Sequence, residues 1–247
     1  MPINYEVKNE IGIFTIDNGK VNAITHEMHE ELYLHLKDFL SDDSVKVAIL
    51  SGSKGKCFSA GDDLNEGDGY QDKDEDISDK IVLLPRNKPI IGAVHSWCIG
   101  TGLIYLTLLT DICIAGRTAR FGLPEIAYAM AGATGNMRLS RNIPRVMANW
   151  LALTGEKITS EKALEFHLIN EVVDDDLVFS RAIEVAEMIA SHPLIGIQTE
   201  MECINQCSEM SLKESRAFTR KIYDKQLEIY HQDPDSQSGI EHIKKGS

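Results

Sequence analysis

Gly100 and Gly102 follow the apolar run Pro89-Ile90-Ile91-Gly92-Ala93-Val94 and open into a second apolar run, Leu103 to Thr110. A helix begun on a glycine pair exposes backbone N–H groups that no intrahelical acceptor satisfies, and its dipole puts positive potential in front of them. Such a turn holds an anion or a developing oxyanion. A second turn of this kind lies upstream, where Cys57-Phe58-Ser59-Ala60-Gly61-Asp62-Asp63-Leu64 follows the turn residues Ser51 to Lys56. Small residues at Ser59, Ala60 and Gly61 let the backbone approach a ligand closely. Two strand-then-glycine turns about forty residues apart could each aim one N–H at a single oxygen.

The elements that must position these turns are legible in the periodicity. Pro89 to Val94 is apolar without interruption, which suits a strand buried on both faces of a mostly parallel sheet, and Val45 to Leu50 alternates towards a buried strand. Ile3 to Lys8 and Gly12 to Asp17 alternate about a turn at Asn9-Glu10 and predict a strand pair. Thr25 caps a helix whose apolar face is Met28, Leu32, Leu36, Phe39 and Leu40. His26, His29 and His35 lie on it and are expected at a solvated or half-buried surface. Beyond Glu125 the chain is helical, with Ala133 to Arg141, Pro144 to Leu153 and Thr159 to His167, a short strand Asn170 to Val173, then Leu177 to Ala190, Pro193 to Cys207 and Leu212 to His231. Ser211 and Glu214 offer a capping box for the last helix, and the tail from Gln232 is expected to fray. Gly67 to Asp79, GDGYQDKDEDISD, is acidic and poor in apolar residues, a loop by composition.

At 247 residues and 43% hydrophobic, the chain can bury a sizeable core. Its formal net charge of -13 repels nucleic acid and anionic membrane, so a phosphate-bearing ligand must be held by a few local groups. The five cysteines, Cys57, Cys98, Cys113, Cys203 and Cys207, lack metal-ligand spacing and read as reduced thiols of a cytoplasmic protein. The start, MPINYEVKNE, has neither basic flank nor apolar core, so no signal peptide is expected, and no run approaches the length of a membrane span.

Taken together, VNAI at Val21 to Ile24, FSAGDDL at Phe58 to Leu64, AVHSWCIGTG at Ala93 to Gly102, DICIAG at Asp111 to Gly116, ARFGLPE at Ala119 to Glu125, MRL at Met137 to Leu139 and ALEFHLINEVV at Ala163 to Val173 resemble the crotonase, or enoyl-CoA hydratase/isomerase, family. The resemblance runs over nearly the whole chain. It implies an α/β fold with a ββα spiral core over residues 1–190 and a C-terminal helical trimerisation region over 191–247, assembling as trimers or dimers of trimers. It also implies an acyl-CoA thioester substrate, with coenzyme A as part of that substrate and no separate cofactor or metal.

Residue by residue, the resemblance makes the backbone N–H groups of Asp62 and Thr101 the oxyanion donors, with Thr101 standing where a glycine is usual. Ala60, Asp62, Asp63, Leu64 and Asn65 match the loop that holds coenzyme A, and Lys20 matches a position near its phosphates, or is an ordinary solvated lysine. Asp63 is expected to close an Asx turn, whereas the Asp62 carboxylate, carried on the donor residue itself, is expected to be exposed and bland or else to touch substrate. His95 is expected to satisfy backbone or touch the site, and Cys98 to be core. Trp97 either packs on the next subunit or narrows an acyl pocket, and Gly67 to Asp79 is either a substrate lid or a solvated loop.

The acids decide the reaction. Hydratases of the family use two glutamates; this chain keeps Glu125, while the other position falls on Ile104 counted from the glycines, or on Tyr105 counted back from Asp111. Without that carboxylate a catalytic water loses one holder, whereas a single base suffices to move a double bond from the β,γ to the α,β position. Burial against Phe121, Leu123 and Ile126 would raise the pKa of Glu125 and suit it to the task. The other reading of Glu125 is a structural acceptor of backbone N–H groups. Gly132, where other members place an aspartate, argues against dienoyl-CoA isomerase and dehalogenase chemistry. Other enolate chemistry on acyl-CoA and a non-catalytic acyl-CoA-binding subunit remain the alternatives.

Overall fold

A computed structural model describes residues 2–66, 77–130 and 139–230. Strands β1 (Ile3–Lys8) and β2 (Ile11–Ile16) form an antiparallel hairpin whose tight turn puts Asn9 and Glu10 at positive φ. Helix α1 (His26–Ser41) follows, opened by Thr25, whose Oγ1 accepts the Met28 N–H. After β3 (Val47–Gly52) and the short α2 (Ile77–Leu83) come β4 (Ile90–Val94), β5 (Trp97–Ile99), α3 (Thr101–Leu109), β6 (Ile112–Gly116) and β7 (Arg120–Gly122). A 3₁₀ turn at Pro124–Tyr128 leads on to α4 (Leu139–Asn142), α5 (Arg145–Thr154), β8 (Ile158–Thr159), α6 (Ser160–Glu165) and β9 (Glu171–Val173). Three helices close the described chain: α7 (Val178–Ala190), α8 (Leu194–Cys207) and α9 (Leu212–Tyr230).

The six-stranded sheet has the order β1-β2-β3-β4-β6-β9 and is parallel from β2 onward. A smaller sheet has the order β5-β7-β8. Because side chains alternate along a strand, the central strands feed two cores at once. Phe14, Ala48, Leu50, Ile90 and Val94 face α1 and α3, while Ile13, Val47, Ile49, Ile91 and Ala93 face the alanine stripe Ala182, Ala186 and Ala190 of α7. That double burial is why these strands read as uninterrupted apolar runs. Gly92 allows α3 to cross close above β4, since a Cβ there would meet Leu106 Cδ1 at 2.5 Å.

The C-terminal helices form as their periodicity predicts, and Ser211 and Glu214 cap each other reciprocally. Three expectations need correction. The central helix starts at Thr101 rather than Leu103, so the second glycine lies inside its first turn. His29 is fully buried rather than at the surface, because it falls on the same face of α1 as Met28, Leu32 and Leu36. Ile126, expected to help bury Glu125, is 42% exposed, whereas Phe121 and Leu123 are buried. Most of the expected acidic loop, Gly132, most of the Ala133 to Arg141 helix and the tail from Gln232 lie outside the described residues. Cys57, Cys98 and Cys113 are buried, and burial pushes all three thiols up from the ordinary range. Among the described residues no helix is long and apolar enough to cross a membrane.

Candidate active site

The first turn is held from both sides. Phe58 and Ser59 donate backbone N–H bonds to the carbonyls of His95 and Trp97, and Ile99 returns one to Ser59, so the turn runs as a short parallel strand beside β5. On its other side Ala60 donates to Val21, Ile24 to Gly61 and Asp63 to Ile24. In that ladder the residues flanking Asp62 carry the bonds to Ile24, which turns the Asp62 N–H the other way. Asn22, buried and at positive φ, ties the arrangement by donating to the carbonyls of Ile16 and Cys57 and accepting from the Asn18 N–H. The sequence carried one signal for it, since asparagine is enriched in the left-handed region.

The second turn lies against the first. Gly61 and Gly100 both take positive φ, 97° and 56°, and a Cβ on Gly61 would stand 3.6 Å from the Thr101 nitrogen. Gly102 packs on Ser59 so closely that a Cβ would meet Ser59 Cβ at 2.8 Å. Thr101 is absent from the positive-φ residues and begins α3, so a side chain is accommodated where the family resemblance expected glycine. Its N–H is one of the donors that a helix start leaves without an intrahelical acceptor.

Glu125 closes the third side. Pro124 opens the 3₁₀ turn, and the Gly100 N–H bonds the Gly122 carbonyl, which brings Glu125 up to the glycine turn. Its Oε1 lies 3.1 Å from where a Gly100 Cβ would be, and its Oε2 is buried with no hydrogen-bond partner. Burial pushes the carboxyl above its ordinary pKa; its own backbone N–H partly offsets this, and the charge of Asp62 adds to the rise.

Asp62 is not the idle surface acid that was expected. Its Oδ2 accepts a hydrogen bond of 2.6 Å from Thr101 Oγ1, and its Oδ1 lies 3.3 Å from His29 Nε2. His29 Nδ1 is hydrogen-bonded to the Tyr105 hydroxyl, and the two rings meet edge to face. Sequence reasoning missed this group because residues 29, 62 and 105 are brought together only by the tertiary fold.

The remaining candidates fall into place unevenly. Asp63 Oδ1 accepts from the backbone and side-chain amides of Asn65, forming the expected Asx turn. Leu64 is 80% exposed at the rim of that loop. Lys20 is exposed and precedes Val21, which bonds Ala60, so it stands beside the loop. Trp97 is half-exposed, with Lys157 Nζ over its ring at 5.2 Å. Of the two positions expected for a second acid, Tyr105 is buried and turned to His29, and Ile104 packs partly buried against the core. His95 bonds the backbone of Asp175, and burial lowers its pKa. No cluster of three or more His, Cys, Asp or Glu side chains among the described residues could hold a metal ion.

A model of the family described as enoyl-CoA hydratase/isomerase matches residues 6–244. The 2,3-dehydroadipyl-CoA hydratase of Escherichia coli K12 is 33% identical over 208 residues, covering 82% of this chain and 80% of that protein. A probable mitochondrial enoyl-CoA hydratase of Dictyostelium discoideum is 33% identical over 224 residues, 88% of this chain and 80% of its own. Among solved structures, the enoyl-CoA hydratase of Mycobacterium tuberculosis superposes with a TM-score of 0.87 at 26% identity, covering 99% of this chain and 96% of its own.

Proposed function

The chain belongs to the enoyl-CoA hydratase/isomerase family, and from that premise we propose that it moves the double bond of a β,γ-enoyl-CoA into conjugation, with Glu125 as the single acid/base. The observation that carries the reading is the Glu125 carboxylate against the glycine turns, with Oε1 beside Gly100 and Oε2 unpartnered, while α3 presents Ile104 and Tyr105 where a second glutamate would stand.

In this reading the thioester oxygen accepts the N–H groups of Asp62 and Thr101. Glu125 removes a proton from the α carbon, and the C–H electron pair becomes the enolate, whose charge rests on that oxygen. The carboxylic acid so formed returns the proton to the γ carbon as the double bond moves between the α and β carbons. One oxyanion donor is worth on the order of a hundredfold or more in rate, so the backbone placement of the two residues matters most. A carboxyl pushed upward by burial exchanges protons at smaller cost near neutral pH. Coenzyme A would lie along Ala60 to Asn65, with Lys20 within reach of its phosphates.

A second reading, hydration, is favoured by one feature: Asp62 adds a carboxylate close enough to raise the pKa of Glu125. The two are separated by following absorbance of the conjugated thioester. Appearance of absorbance from a β,γ-enoyl-CoA, lost in Glu125→Gln, supports isomerisation. Loss of absorbance from an α,β-enoyl-CoA, with no action on the β,γ isomer, rejects it in favour of hydration. The same premise gives a trimer or dimer of trimers built through α8 and α9. It is supported by α9, which has 19 residues and leaves Leu212 and Tyr223 exposed; a monomer by light scattering would reject it.

A further inference from the structure

The residues offering the two candidate oxyanion N–H groups are also joined through their side chains, and that junction continues into the core. From Thr101 Oγ1 the contacts pass to Asp62, from Asp62 Oδ1 to His29 Nε2 at 3.3 Å, and from His29 Nδ1 to the Tyr105 hydroxyl. Tyr105 lies four residues after Thr101, one turn along the same face of α3. The contacts therefore form a closed ring that leaves α3 at its first residue, crosses to the loop, drops to α1 and returns to α3.

We propose that Asp62 and Thr101 act as a clasp that sets the spacing of the two N–H donors, with His29 and Tyr105 as positioning residues behind it. The inference rests on reading those two amides as oxyanion donors. Packing alone does not account for the arrangement. The Asp62 side chain is 44% exposed and could be satisfied by water, yet it is turned inward to a threonine hydroxyl. His29 Nε2 is buried, engaged by no hydrogen bond, and faces the carboxylate. A glycine at position 101 would supply the backbone donor but could not close the clasp, which gives the side chain of Thr101 a purpose. A loop free to drift by about 1 Å would forfeit on the order of a hundredfold in rate. The side chains of Asn22 and Ser59 brace the first turn, and the Asp62–Thr101 bond is what joins it to the second through side chains.

The test compares Thr101→Val, which keeps the shape and removes the hydroxyl, with Thr101→Ser, which keeps the hydroxyl, and adds Asp62→Ala and the double variant Asp62→Ala/Thr101→Val. The first readout is the absorbance of bound hexa-2,4-dienoyl-CoA, whose band moves to longer wavelength as its carbonyl is polarised, with or without turnover. The second is kcat and KM on a β,γ-enoyl-CoA. Expected are a red shift with wild type and Thr101→Ser, and most of it lost in Thr101→Val and Asp62→Ala. Expected also is a kcat lowered about tenfold to a hundredfold at little-changed KM, with the double variant no worse than either single. A full red shift and full kcat in Thr101→Val, or losses that add in the double variant, would overturn the clasp. A red shift in wild type without isomerisation removes only the proposed reaction, and the clasp is then decided by the shift alone. Binding of the dienoyl thioester by wild type with no shift overturns clasp and oxyanion reading together.

Discussion

A methyl group placed on Gly100 would stand 3.1 Å from Glu125 Oε1 and 3.5 Å from the Gly61 Cα, so the carboxylate and the two glycine turns share one packed junction. Gly100 also holds φ 56° and ψ -128°, a conformation that side chains resist. Gly100→Ala is therefore expected to lower stability by about 1 to 3 kcal/mol and kcat by on the order of a hundredfold. Thermal unfolding and turnover measure the two, and a variant of wild-type activity would contradict the junction.

Glu125→Gln tests the acid itself. Turnover should vanish while the fold persists. Because the folded-state pKa of Glu125 is raised, the folded protein holds this proton more tightly than the unfolded chain. Its stabilising contribution is then present below the ordinary carboxylate range and is lost as pH rises through the folded pKa. The neutral glutamine should accordingly unfold at higher temperature than wild type at about pH 8, with the difference closing towards roughly pH 4, near the carboxylate reference range.

Asp62→Asn removes the charge that adds to the rise in Glu125 while leaving an oxygen to accept from Thr101. Glu125 acts as a base only when ionised, so activity climbs with pH through its pKa. Removing a neighbouring negative charge lowers that pKa. The acidic limb of the kcat/KM profile should move to lower pH, and an unmoved limb would show that Asp62 does not act on Glu125.

Tyr105→Phe leaves His29 Nδ1 without its hydroxyl partner in a fully buried position. The unsatisfied polar group should cost about 1 to 3 kcal/mol, read as a lower denaturant midpoint at unchanged slope.

The strands, the turn glycines and Glu125 were legible because each depends on local chemistry: uninterrupted apolar runs, residues able to take positive φ, and an acid in a recognisable turn. Asp63 was legible too, since an Asx turn is made within three residues. Asp62 and His29 were not. The spacing of His29 from Leu32 and Leu36 sets it on the apolar face of α1, but its partners come only from the tertiary fold, Tyr105 lying 76 residues away. The absence of a carboxylate at Ile104 and Tyr105 could be read directly, but the use that the fold makes of Tyr105 could not.

The burial of Cys57, Cys98 and Cys113 gives the native protein a chemical clock. Thiolate is the form that reacts, and these three thiols are both enclosed and pushed towards the protonated form. Within a single folded subunit only Cys203 and Cys207 on α8 are half-buried rather than enclosed, and so open to an alkylating reagent. Each further equivalent of label then counts an opening of the core around the glycine turns, so the uptake of reagent past the second thiol times the loosening of the site without any substrate present.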